Sequence, residues 1–173
     1  KGHRVTADDS ETLKSIGKEH IYVIELADGD LHEDDAAARL AVALMGDHVT
    51  CGEPHEGKVA IKSTVNGIAD IAREVVDAIN ALGDVALATV VRHRVVKAGE
   101  TIAATRVIPL IVPESRVRQA EEIAAAYRAA SGGRPPLGVR PMRPMRAGLL
   151  TTGNEVYSGR IKDKFGPAVA DKL

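Results

Sequence analysis

The stretch GLLTTGNEVYSGRIKDKFG, residues 148–166, gathers the residue types best suited to holding a small anionic ligand. A short apolar run ends at Thr152. Gly153 then permits a tight or left-handed turn, and Asn154 and Glu155 follow at the carboxyl end of the run. In open α/β sheets that end of a strand is where ligands bind. Ser158 and Gly159 make a second turn, toward a helix whose N-terminal amides could receive a phosphate. A polar tip on an ordinary strand–turn–helix connection uses the same residue types. The residues by themselves leave both readings open.

Three other clusters could do chemistry. HVTCGEPHEG, 48–57, offers His48, Cys51 and His55 at spacings that suit zinc, with Glu53 and Glu56 among them. Because no familiar fourth ligand follows, a polar loop beside a strand is expected instead. DGDLHEDDAAA, 28–38, collects Asp28, Asp30, Asp34 and Asp35 with Glu33 and His32. Paired carboxylates serve acid–base work or hold Mg²⁺. Here Asp30 and Glu33 read as a variant capping box, and acids in a first helical turn suit the helix dipole. Arg92, His93 and Arg94 form a basic triplet, read as a solvated turn rather than a phosphate site. Nucleophile-elbow, His-Glu-x-x-His, P-loop and dinucleotide glycine patterns do not occur.

The elements that must position these residues follow from periodicity. A short helix is expected over 9–16 and a buried strand over HIYVIEL, 20–26. A helix over 31–45 carries Ala37, Leu40, Ala41 and Leu44 on one stripe and stops at Gly46. GKVAIKS, 57–63, alternates like a strand. Residues 68–82 read as a helix, with Ile68, Ile71, Ala72, Val75, Ile79 and Leu82 at helical spacing, Asn66 as N-cap and Gly83 as stop. DVALATVV, 84–91, is apolar on both faces, which predicts a central strand. Two strands around an AGE turn are expected over 93–113, then an amphipathic helix over 115–130 with Val117, Ala120, Ala124 and Tyr127 inward. The Pro- and Arg-rich segment 132–146 reads as a linker, and AGLLTT, 147–152, as a fresh strand.

Composition narrows the classes. The chain has 173 residues, 45% hydrophobic and 27% charged, with a formal net charge of −1, so no global field favours a polyanion. Aromatics are 2%, which leaves few platforms for stacking bases and requires an aliphatic core. Nucleic-acid binding is disfavoured. One cysteine, Cys51, cannot close an intrachain disulfide, which fits a reducing cytoplasm. No apolar run approaches the ~18 residues of a membrane span, so no membrane role is expected. The opening KGHRV and the closing PAVADKL read as cut ends of a longer cytoplasmic protein.

TTGNEVYSGRIKD, Thr151–Asp163, resembles the first signature of the molybdopterin-binding domain. That signature runs from a strand into Thr-Gly-Asp-Glu, then Ser-Gly, an aliphatic residue and an Asp before the first helix. The matching residues are Thr152, Gly153, Glu155, Gly159, Ile161 and Asp163. Asn154 stands where the pattern has Asp, and Lys164 and Phe165 stand where it has a hydroxyl residue and Asn. Upstream, VVKAGETIAATRVIPL, 95–110, and the N-terminal KGHRV and LKSIGKEHIYVIEL are similar to segments of molybdopterin-binding proteins related to the molybdotransferase.

The resemblance implies a protein of molybdenum-cofactor biosynthesis or handling. Its ligand would be molybdopterin or the adenylylated form, with magnesium or molybdate. The cofactor-binding residues would be Thr152, Gly153, Asn154, Glu155, Ser158, Gly159 and Asp163, with no catalytic residue assigned. It leaves a homo-oligomer open. Two alternatives stand beside it: a non-enzymatic scaffold or sensor that binds a partner protein, and a nucleotide-processing hydrolase of the competence-damage-inducible type. The expected fold is α/β, with an N-terminal α+β region over 1–131, the linker 132–146, and the first strand and helix of a doubly wound, incomplete molybdopterin-binding domain over 147–173.

Overall fold

The computed structural model describes residues 5–21, 23 and 25–172. Helices and antiparallel sheets are mixed, which places the chain in the α/β class in its general sense. The chain divides into two compact units, Lys1–Met142 and Arg143–Leu173.

In the first unit, helix α1 (Asp9–Ser15) is followed by strand β1 (Asp30–His32) and helix α2 (Glu33–Leu44). Then come β2 (Val49–Cys51), β3 (Lys58–Ser63), β4 (Gly67–Ile71), helix α3 (Arg73–Asn80) and β5 (Val85–Thr89). The unit ends with β6 (Val95–Val96), β7 (Thr101–Val107), β8 (Ile111–Pro113), helix α4 (Glu114–Ala130) and β9 (Leu137–Pro141). The strands form an antiparallel four-stranded sheet in the order β2-β3-β7-β5, a three-stranded sheet β6-β4-β9, and a pair β1-β8.

The core is aliphatic, as four aromatics in the whole chain require. Ala37, Leu40, Ala41 and Leu44 of α2 are buried with Val59 and Ile61 of β3, Ile102 and Val107 of β7, and Val117, Ala120 and Ala124 of α4. Burying such side chains contributes about 25 cal/mol per Å² of apolar surface removed from water. The stripes expected on α2 and α4 are therefore the faces that pack, with Tyr127 half-buried beside them.

Several elements differ from the periodicity reading. Of the run 20–26, Tyr22 and Ile24 lie outside the described residues; Ile21, Val23 and Leu26 are exposed and in no strand. A β-branched run becomes a strand only where an edge accepts it, and no described strand pairs with it. The helix expected over 68–82 is two elements, β4 and α3. Gly67, Ala69 and Ile71 are buried alternately with Ile68 and Asp70, a period of 2 that overlapped the helical spacing. Asn66 is no N-cap: its Oδ1 accepts the Ala98 N–H at 3.0 Å, and its carbonyl accepts that of Met142 at 3.1 Å. Strand β5 lies at the edge of its sheet, not at its centre. Strands β6 and β7, expected as one hairpin, belong to different sheets.

The segment 132–146 contributes β9, which pairs with β4 from Gly67↔Pro141 to Ile71↔Leu137. Two glycines permit this. At Gly46 a Cβ would run into the Pro135 ring, and at Gly67 one would run into the Arg140 carbonyl. Gly46 thus acts by close approach rather than as a left-handed helix stop. That stop is supplied by Arg128 of α4, whose guanidinium donates to the Ala43 carbonyl at 3.0 Å and the Met45 carbonyl at 2.7 Å.

The second unit holds α5 (Asn154–Tyr157) and α6 (Phe165–Ala170). Residues 147–152, expected as a strand, belong to no strand among the described residues. Among the described residues, no helix is long and apolar enough to cross a membrane.

Candidate functional site

The residues singled out in 152–163 fall within two adjoining turns of the second unit. Gly153 has φ +145° and ψ 128°, a conformation open in practice only to glycine. The chain bends there and enters α5, a single turn in which the Tyr157 and Ser158 amides donate to the carbonyls of Gly153 and Asn154, both at 2.9 Å. Glu155 is exposed, yet its carboxylate leans back over the bend: a Cβ on Gly153 would lie 3.5 Å from Oε2. Gly159, at φ +70°, closes the turn, its amide donating to the Val156 carbonyl at 3.1 Å. The Glu155 carbonyl accepts the Ile161 amide at 3.1 Å and the Ser158 hydroxyl at 3.4 Å. Gly153, Asn154, Glu155, Ser158 and Gly159 are therefore gathered in one loop, with the Asn154 and Glu155 side chains exposed to solvent.

Asp163 plays another part. Its Oδ1 accepts the amides of Phe165 at 2.9 Å and Gly166 at 3.0 Å, so it caps α6. The Gly166 amide first, then the Thr151 hydroxyl and the Phe165 amide, hold its carboxyl below the usual carboxylate range. The first-turn amides of α6, expected to be open to a phosphate, are thus occupied by the chain's own carboxylate. Gly166 fits because it is glycine: a Cβ there would come within 2.5 Å of Asp163 Oδ2.

Residues of the other clusters make contacts within the fold. Asp30 sits in β1 opposite Pro113, and the N-cap of α2 is His32, whose Nδ1 accepts the Asp34 amide at 3.2 Å. The other ring nitrogen, Nε2, is buried and has no hydrogen-bond partner among the described residues. Asp34 Oδ1 accepts the Gly57 amide at 2.8 Å, which docks the 55–58 turn onto the start of α2. Cys51 lies in β2, partly buried and paired opposite Ile61, while His48 and Glu56 turn the chain at φ 60° and 50°. An open cleft of about 300 Å³ beside this turn is lined by Glu53, His55, Glu56, Lys58, Ala60 and Arg106. Among the described residues, no group of three or more His, Cys, Asp or Glu side chains is gathered to hold a metal. In the basic triplet, His93 adopts φ 67°, its amide donates to the Ala69 carbonyl at 2.9 Å, and Arg94 pairs with Glu100 at 2.8 Å.

The sequence reading overlooked one charged network. Arg39 of α2 donates to Glu114 at 2.7 Å and to both Glu121 oxygens at 2.9 and 2.8 Å, joining α2 to α4. The spacing of the two glutamates, two helical turns apart on α4, is its visible signal. The Arg39 guanidinium is held above its already high ordinary pKa, chiefly by Glu121.

Residues 1–25 match a family model described as a domain of unknown function (DUF8806). No curated protein and no solved structure matches the chain.

Proposed function

We propose that the chain belongs to a molybdopterin-binding protein of molybdenum-cofactor biosynthesis or handling. In this reading the loop from Thr152 to Gly159 meets the phosphate and polar edge of the pterin, or of its adenylylated form. The observation that carries it is the glycine-only bend at Gly153. It falls inside the motif Thr151–Asp163, and it turns the chain so that the Glu155 carboxylate sits over the bare backbone of the bend. Bare backbone is where a ligand can approach amides closely. Asn154, Glu155 and Ser158 supply acceptors and donors for polar ligand groups, with magnesium or molybdate as companions of the ligand. Asp163 serves as the brace that fixes the loop to α6, a positioning residue in this reading. A cytoplasmic setting, where the cofactor's thiol chemistry stays reduced, accords with it.

Calorimetric titration with molybdopterin tests the reading. Saturable binding by the chain is expected. Glu155→Ala should weaken it by roughly tenfold, the scale of one charge-assisted hydrogen bond. Wild-type affinity in Glu155→Ala removes that residue from the site, and no binding by the wild type overturns the reading.

A further inference from the structure

Strand β5 ends its sheet, so among the described residues one side of its backbone has no strand beside it. The register with β7 shows which groups face that side. Asp84 accepts the Ile108 amide and the Val90 amide donates to Ile102, both at the ends of the β5–β7 ladder. In an antiparallel ladder alternate residues point their N–H and C=O the same way. Even-numbered residues therefore face β7, and Val85, Leu87 and Thr89 turn theirs to the open edge. At Leu87 that edge is not bare. Asn80, the last residue of α3, accepts the Leu87 amide on Oδ1 at 2.7 Å and donates Nδ2 to the Leu87 carbonyl at 3.1 Å. One carboxamide thus makes both bonds that a neighbouring strand would make.

We propose that Asn80 is a built-in strand mimic that closes the β5 edge against pairing with β5 of a second copy of this chain. The geometry selects that partner. Two β5 strands meeting antiparallel with Leu87 opposite Leu87 would exchange N–H···O bonds at that pair, and these are the same two bonds that Asn80 occupies. Such a contact is two-fold and self-complementary. The strand itself suits it, with Val85 and Thr89 flanking Leu87, no charge and no proline. Asn80 itself is exposed to solvent, at the surface of the β5 edge. Edge strands without such protection pair readily with other chains.

The test compares the wild-type chain with Asn80→Ala by sedimentation velocity over a concentration series, with amide hydrogen exchange at Leu87. The variant is expected to sediment faster as concentration rises, relative to wild type. Its Leu87 amide should exchange roughly fivefold faster or more when dilute, and become protected again when concentrated. Adding Ala86→Lys and Ala88→Lys sets lysines opposite one another across the proposed pair, on the face away from the core, and should restore wild-type sedimentation. If Asn80→Ala fails to fold, Asn80→Asp keeps the acceptor for the Leu87 amide, loses the donor, and should associate at higher concentration. Wild-type sedimentation in the folded variant at every concentration overturns the proposal, as does association that survives the two lysines.

Discussion

At Asp163 one carboxylate closes a turn, and its chemistry makes the turn sensitive to acid. Its folded-state pKa is depressed, so it adds stability above the ordinary aspartate value. That contribution disappears as pH falls through the folded value, below pH ~4. The Phe165 and Gly166 amide resonances are therefore expected to shift on acidification, and Asp163→Asn should abolish that step in an NMR titration. Arg128 offers a contrasting case, a guanidinium that meets backbone carbonyls instead of amides. Removing its donors from the Ala43 and Met45 carbonyls in Arg128→Ala should cost about 1–3 kcal/mol by denaturant unfolding, with Arg128→Lys recovering part. Little of this was legible in the sequence. A capping box invites an Asp, yet the cap of α2 is His32, because the pairing of β1 with β8 holds Asp30 in a strand. The glycine bend in 151–163 was legible, since only one residue type adopts it. The Asp163 cap was not, because an acid before a helix looks the same whether it binds a ligand or its own backbone.

Elements were readable where one face decides and ambiguous where two periods coincide. Helices α2 and α4 bury the stripes their spacing dictates, because a long amphipathic face has one way to pack. The stretch from Ile68 to Leu82 fits both a period of 2 and one of 3.6, and only β6 and β9, brought from elsewhere in the chain, decide that its first part is a strand. Strand β5 shows the same limit: apolar residues on both faces are compatible with an edge once α3 covers one side. Between elements, the join of α2 to α4 through Arg39 is a measurable quantity. Its groups are about a third exposed, Arg39 at 35% and Glu114 at 37%, so water and salt screen it. A double-mutant cycle of Arg39→Met with Glu121→Gln should give a coupling of about 1 kcal/mol, shrinking as salt is raised.

At the scale of the whole molecule the two units differ in how much they bury. The first holds the aliphatic core; among the described residues of the second, Gly166 alone is buried, while Leu150, Tyr157 and Phe165 are 85%, 92% and 66% exposed. Amides of 143–172 are accordingly expected to exchange with solvent far sooner than those of β3, β5 and β7, and early proteolysis should fall after Met142 rather than within those strands. Composition foresaw an aliphatic centre but not which strands meet, since pairing is a property of distant segments. The sheet β6-β4-β9 makes that distance concrete: β9 begins 66 residues after β4 ends. At a synthesis rate of about 5–20 residues per second, a nascent β4 leaves the ribosome on the order of several seconds before its second neighbour exists. Through that interval the growing chain carries an open ladder beside Gly67, whose lack of a side chain lets the late strand slide into place.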